Sequence, residues 1–394
     1  MSDEAGRVLA EAFRQDWGRV VATLIGALGD WDLAEEAAQE AFATALPAWR
    51  RDGVPDNPRA WLTTSARHRA IDRLRRARVG ADKLRELAVE QAGDLDVDLD
   101  ALDSGIADDR LRLIYTCCHP ALSLESQVTL ALRTLCGLST AEIARTFLVS
   151  EATMAKRLVR TKKKIELAGI PYRVPPAHLL PERTTAVLAT VYLMFHQGYI
   201  AGRDELGRHA RHLAGTVAGL MPDHPEAAGL QALLMLLDAR RAARVVDGVL
   251  IPLEEQDRSR WDTAMIADGL AIIRRALLRE QIGPYQLQAL IAGCHVQPET
   301  DWAQIIHLYD QLLKLVPSGT VRLNRAVAIA MRDGPQAGLD LLGDVGEHPL
   351  LPATRADLLR RAGRGDEAAA HYRAAIEQAA GPAELAFLER RLRE

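Results

Sequence analysis

At 394 residues the chain is long enough for two or three domains with ample core. Its 48% apolar and 5% aromatic content is ordinary for a soluble protein, and a net charge of −4 excludes a general polyanion binder, so the clustering of basic residues carries the information. The four cysteines, Cys117, Cys118, Cys136 and Cys294, form no CxxC pair and point to a reduced, cytoplasmic protein.

In chain order, residues 7 to 46 read as two helices. Val8, Leu9, Ala12, Phe13, Trp17, Val20, Val21, Leu24 and Leu28 keep a helical period; Gly29 ends the first helix and Asp30 caps the next. The second helix, expected over 32–46, places Asp32, Glu35, Glu36, Gln39 and Glu40 on one strip. Such a strip fits a docking face for a basic protein, and equally a soluble helix with acids near its N-terminus. A turn-rich loop, 51–58, follows with Gly53, Pro55 and Pro58.

The next helix has two unlike sides. Trp61, Leu62, Ala66, Ala70, Ile71 and Leu74 form an apolar stripe, while Arg67, Arg69, Arg73, Arg75, Arg76 and Arg78 crowd the rest against Asp72 alone. A phosphate backbone suits the cationic side, because neutralising phosphates releases counterions. Trp61 offers a ring for an unpaired base. A solvated arginine helix with a core tryptophan fits the same pattern. Val79-Gly80 is expected to end this unit. The acidic stretch 80–109, with Asp94, Asp96, Asp98, Asp100, Asp103, Asp108 and Asp109, reads as a tether rather than a calcium loop, whose glycine and closing glutamate are missing.

Residues 110 to 165 read as a compact helical unit ending in a helix-turn-helix. Ser139 with Glu142 makes a capping box, Leu148-Val149 the turn, and Ser150 with Thr153 the next cap. Ile143, Ala144, Phe147, Val149, Met154, Leu158 and Val159 are expected to pack the two helices together. Ser150, Glu151, Thr153, Lys156, Arg157 and Arg160 would then face a major groove. His119 beside Cys117-Cys118 lacks further ligands at zinc spacing, and no phosphate loop or catalytic constellation stands out. The chain is therefore expected to be no enzyme and to need no metal or cofactor. No signal peptide is expected at the acidic Ser2-Asp3-Glu4 opening, and no apolar run reaches the ~20 residues of a membrane helix.

The proline-rich stretch 171–181 marks a boundary, and helices punctuated by Gly and Pro follow over 182–394. Tyr309, Leu312 and Pro317, and Ala368, Tyr372, Ala375 and Pro382, are spaced like the second helix of a tetratricopeptide (TPR) hairpin. Stacked hairpins would form a groove for a peptide or protein; an irregular helical bundle fits the same pattern.

The chain as a whole resembles a bacterial RNA polymerase sigma factor, of the extracytoplasmic-function (ECF) subfamily of the sigma-70 family. Residues 15–79 look like region 2, through the stretches 29–42 and 60–76, and 110–165 look like region 4. Cys117-Cys118-His119-Pro120, Gly283-Pro284-Tyr285-Gln286 and Leu323-Asn324-Arg325-Ala326 are similar to the subgroup with a long C-terminal helical extension. The resemblance implies an all-α chain: region 2 over 7–79, an acidic linker over 80–109, region 4 over 110–170 and a TPR-like regulatory domain over 182–394. It implies that core RNA polymerase, through its β′ and β subunits, and promoter DNA are the partners. Asp32, Glu35, Glu36, Gln39 and Glu40 would meet the β′ coiled coil. Asn57, Trp61, Arg67, His68, Ile71 and Arg75 would open and read the −10 element. Ser150, Glu151, Thr153, Lys156, Arg157 and Arg160 would read the −35 element.

The chain departs from the family pattern at His68, where Asn is common, and at His196-Gln197, where Asn-Glu is usual. An ordinary helix-turn-helix regulator with a ligand-sensing helical domain is the rival reading, and a repeat scaffold a third.

Overall fold

The computed structural model describes residues 4–85, 106–147, 149–200, 204–379 and 381–394. The described chain is all-α apart from one two-stranded hairpin. It forms two compact units, Met1–Thr190 and Val191–Glu394.

The first unit opens with α1 (Glu4–Leu28). Gly29, at φ 67°, turns the chain, and Asp30 accepts hydrogen bonds from the N–H groups of Asp32 and Leu33, both at 3.0 Å, to start α2 (Trp31–Asp52). This helix does not stop at Leu46 but runs through Pro47. Proline gives up one helical N–H there. The buried row Ala38, Phe42, Ala45 and Trp49 continues across it at steps of four and three, so packing holds the helix past its weakest link. The loop shrinks to residues 53–57.

Asn57 accepts from the N–H of Ala60 at 3.1 Å and caps α3 (Pro58–Arg85). This helix passes the expected end at Val79-Gly80, since glycine weakens a helix by about 1 kcal/mol without breaking it. The acidic run from Asp94 to Asp103 lies outside the described residues. Asp108 and Asp109, expected in the tether, belong instead to α4 (Ile106–Cys117).

α5 (Leu124–Thr134), α6 (Thr140–Phe147), α7 (Glu151–Leu167) and α8 (Leu180–Ile200) follow, and the two units divide within α8. The capping box forms: Ser139 N–H donates to Glu142 at 2.7 Å and Glu142 N–H to Ser139 Oγ at 3.2 Å. Ser150 Oγ accepts from Thr153 N–H at 3.2 Å and starts α7.

Phe13, Trp17 and Phe42 gather with ring centroids 5.2–5.7 Å apart at the centre of α1 and α2. The turn after α5 closes on this cluster. A Cβ on Gly137 would meet Phe13 and Trp17 at 2.8–2.9 Å, and one on Gly18 would meet the Leu135 carbonyl at 2.9 Å. Gly137 also holds φ 75°, a region costly for other residues.

The second unit comprises α9 (Asp204–Leu220), α10 (Pro225–Asp238), α11 (Arg241–Arg244), β1 (Val245–Val246), β2 (Val249–Leu250), α12 (Thr263–Leu277), α13 (Pro284–His295), α14 (Trp302–Leu315), α15 (Gly319–Asp333), α16 (Pro335–Leu341), α17 (Leu351–Arg361), α18 (Gly365–Ile376) and α19 (Pro382–Arg393). Its core is a chain of clusters that share helices: α10 with α12 and α13, α13 with α14 and α15, α15 with α17, and α17 with α18 and α19. Leu312 sits in the second cluster with Tyr309 packed on it, and Ala368, Tyr372 and Ala375 line the last. The hairpin turns at Asp247-Gly248, both at positive φ, which matches the twist of its two strands.

Gly137→Ala should destabilise the chain by about 2 kcal/mol or more, from strain and crowding together. Gly29→Ala, at positive φ in open space, should cost only about 1 kcal/mol. Urea unfolding of the two variants checks the order.

Candidate functional site

The site is built on α2 and the helices around it. Leu62, Ala66 and Ala70 of α3 are wholly buried, which turns the arginines of α3 outward and toward α2. Arg73 ion-pairs with Glu36 and Glu40, and Arg69 reaches Glu40 at 3.4 Å and Thr44 Oγ1 at 2.9 Å. Two of the six arginines in the cationic run are thus held by the acidic strip of the same unit.

The other side of the strip meets α5 and α7. Glu35 is 3% exposed, and its Oε2 pairs with Arg133 at 2.9 Å and Lys162 at 3.2 Å. Lys162 also reaches Asp32 at 2.6 Å. Gln39, with its amide turned to suit its donors, accepts from Arg133 at 2.8 Å. All five residues expected to face a protein partner are therefore engaged inside the unit. Sequence reasoning missed the cations, because Arg133 lies 98 residues from Glu35 and Lys162 lies 130 from Asp32. No local pattern links them.

The residues assigned to the −10 element divide. Trp61 is half-buried, edge-on to the buried Trp49 at 5.7 Å. Ile71 and Arg67 are half-buried, while His68 and Arg75 are exposed. Asn57 is exposed, but its side-chain oxygen is committed to the α3 cap, so it acts as a helix stop before it can act as a reader.

On α7, Ser150, Glu151, Thr153, Lys156 and Arg160 are exposed together. Arg157 departs from them: it pairs with Glu125 of α5 and lies 6.0 Å from the Phe147 ring centre. The packing face of α7 is Met154, Leu158, Thr161 and Ile165, one helical row. Val159, expected in that face, is 65% exposed, because one step beyond Leu158 turns it about 100° away. Leu148, expected in the turn, lies outside the described residues.

Cys117 and Cys118 are buried, and Cys117 Sγ lies 3.2 Å from Thr134 Oγ1. His119 Nδ1 accepts from the N–H of Ala121 at 3.1 Å and shapes a turn. No group of three or more His, Cys, Asp or Glu that could hold a metal occurs among the described residues. Nor is any described helix long and apolar enough to cross a membrane.

Comparison with known proteins bears on this geometry. Residues 9–79 match the model of sigma-70 region 2, and residues 112–165 that of sigma-70 region 4. The chain thus carries both a region 2 and a region 4 of the sigma-70 family. It is a sigma factor for transcription initiation, and its two sigma regions imply binding to core RNA polymerase and promoter DNA.

Residues 183–277 of this sigma factor match a family of unknown function (DUF6596). An uncharacterized protein of Rhizobium meliloti (strain 1021) is 40% identical over 385 residues, covering 92% of this chain and 89% of the relative. The ECF RNA polymerase sigma factor SigK of Mycobacterium ulcerans (strain Agy99) is 29% identical over 145 residues, covering 36% of this chain and 74% of the relative. The serine/threonine-protein kinase 36 of Mus musculus is 28% identical over 126 residues, 31% of this chain but 10% of the kinase. No solved structure matches.

Arg133→Met should destabilise the factor by about 3 kcal/mol, since it strips a buried carboxylate of its nearest cation. Glu36→Gln, in a partly exposed pair, should cost under about 1 kcal/mol. Denaturant midpoints at constant slope test the contrast.

Proposed function

We propose that this sigma factor is of the ECF subfamily, that its region 2 reads the −10 element through α3 while α7 reads the −35 element, and that its second unit is a TPR-like extension that regulates it in cis. The supporting observation is the pairing of two cationic helices in one chain. α3 presents His68 and Arg75 beside a half-buried tryptophan, and α7 presents Lys156 and Arg160 behind a capped N-terminus. Melting needs a ring and cations near an unpaired strand. Duplex readout needs a helix whose first turns reach base edges. The domain limits proposed are 7–79, 80–109, 110–170 and 182–394. Successive helices of the second unit pack on their neighbours, as stacked hairpins do, and such an array offers a groove to a peptide or protein.

The acidic strip of α2 is the proposed seat for the β′ subunit. In the arrangement described, Arg133 and Lys162 occupy it. Polymerase binding on this reading requires α5 and α7 to leave the strip, which also frees the −35 reader. Among the described residues Glu35 Oε1 has no hydrogen-bond partner in the closed arrangement, so the carboxylate is not fully satisfied there and an incoming cation can compete.

Arg67→Ala with Arg75→Ala should abolish permanganate-detected melting at a run-off promoter while leaving core binding within about twofold; normal melting would oppose the assignment. Lys162→Met should tighten core binding, measured without DNA, by about fivefold, the equivalent of about 1 kcal/mol. Weaker binding would mean that the strip is not the polymerase seat.

A further inference from the structure

Among the described residues, the second unit contains a buried cation with no counter-charge. Arg240 joins α10 to α11 and is 7% exposed. Among the described residues its guanidinium makes no ion pair or hydrogen bond, and its Nε is buried with nothing to donate to. The nearby acid, Asp238, is already taken: Arg211 holds one of its oxygens at 2.9 Å and Arg241 pairs with the other. The neighbouring arginines have other partners too. Arg244 donates to the Tyr199 carbonyl at 2.6 Å and stacks on the Tyr199 ring, and Arg258 donates to the Gln297 carbonyl and stacks on Trp261. Burying a guanidinium without a counter-charge is costly, so a site that keeps one is suited to an anion.

Arg240 lines a cavity of about 420 Å³ between α10, α13, α14 and α15. His295 lines it as well, with Nδ1 buried and unbonded and its ring edge-on to Trp302 at 5.5 Å. Burial, with the charges of Arg240 and Arg258, pulls the His295 pKa down to about 4, so the ring is neutral near pH 7 and adds no second charge. The rest of the wall is mixed: Leu233, Leu237, Ile291, Leu312, Val316 and Val321 make its apolar part, and Gln288, Ser318, Thr320 and Asn324 add uncharged polar groups. A second cavity of about 560 Å³ shares His295, Tyr309 and Asn324 with the first. Both fall within the size range of small-molecule sites, about 300–1,000 Å³.

We infer that the second unit binds a small organic monocarboxylate with an apolar body, its two oxygens on Arg240 and His295 and its tail against the leucine and valine wall. One unpaired cation matches one negative charge. A guanidinium edge presents two donors to two carboxylate oxygens, and a neutral imidazole has one N–H to add. A phosphate dianion would bring a second charge that no free cation of this cavity meets, and its polar body would waste the apolar part of the wall. The inference rests on the cavity alone and holds whatever the unit does to transcription.

The test uses the full chain with four probes: octanoate, phenylacetate, 1-octanol and inorganic phosphate. At least one carboxylate should bind saturably by titration calorimetry and raise the thermal midpoint by several degrees, with octanol and phosphate at least tenfold weaker. Arg240→Met should lose at least tenfold in carboxylate affinity. Without ligand it should be no less stable than the parent, because a methionine leaves no unpaired charge in the buried site. A purely structural arginine would give a destabilised variant instead. Failure of both carboxylates to bind, equal binding of octanol, or unchanged binding by a folded Arg240→Met overturns the inference. His295→Phe gives a second reading: carboxylate affinity should fall, and retention of full affinity would remove His295 from the site.

Discussion

A single carboxylate governs the first unit. Glu35 is drawn almost wholly out of water, and a buried charge must be met by cations or it destabilises the fold. Arg133 of α5 and Lys162 of α7 meet it, so α2 cannot move away from those helices without stranding the charge. The apolar side of the same contact is just as tight. Gly18 and Gly137 let α1 and the turn after α5 approach at distances a methyl group would forbid. Charge and close packing thus hold the same set of helices from two directions. One end of the α2 strip is closed by α3 and the other by α5 and α7.

Local chemistry was legible in the sequence and long-range pairing was not. The caps at Asp30, Ser139 and Ser150, the turn at Gly29 and the two helices of the helix-turn-helix all follow from residues within four positions of one another. The lengths of α2 and α3 do not. Pro47 and Gly80 are stop signals on local grounds, and each is overridden inside a longer helix, for α2 by a buried row that continues beyond the proline. Val159 was misplaced by a single step of helical phase, and Thr161 stands in its stead. The short hairpin at Asp247-Gly248 was written plainly in Val245-Val246-Asp247-Gly248-Val249-Leu250, a turn pair between β-branched residues, yet an all-helical reading passes over it.

The candidate site shows the same division. Which residues carry charge, and on which helix, could be read directly. That the acids of α2 would be closed by cations from three other helices could not, since pattern analysis sees one helix at a time. Arg240 is a sharper case. In sequence it is one arginine in Arg240-Arg241-Ala-Ala-Arg244, and only the fold shows that its neighbours are paired while it has no partner among the described residues. A buried unpaired group of this kind is found by asking what each polar atom touches.

The adjacent cysteines at the end of α4 have a consequence for signalling. Burial pushes the Cys118 thiol up to about 12 and holds Cys117 well above the usual thiol value too. Peroxide and disulfide chemistry run through the thiolate, which is scarce at neutral pH for such groups and shielded here by the surrounding helices. Although adjacent cysteines invite the idea of an oxidation sensor, this pair is chemically silent while the unit stays folded. An oxidant could act on it only after the helices around it had come apart.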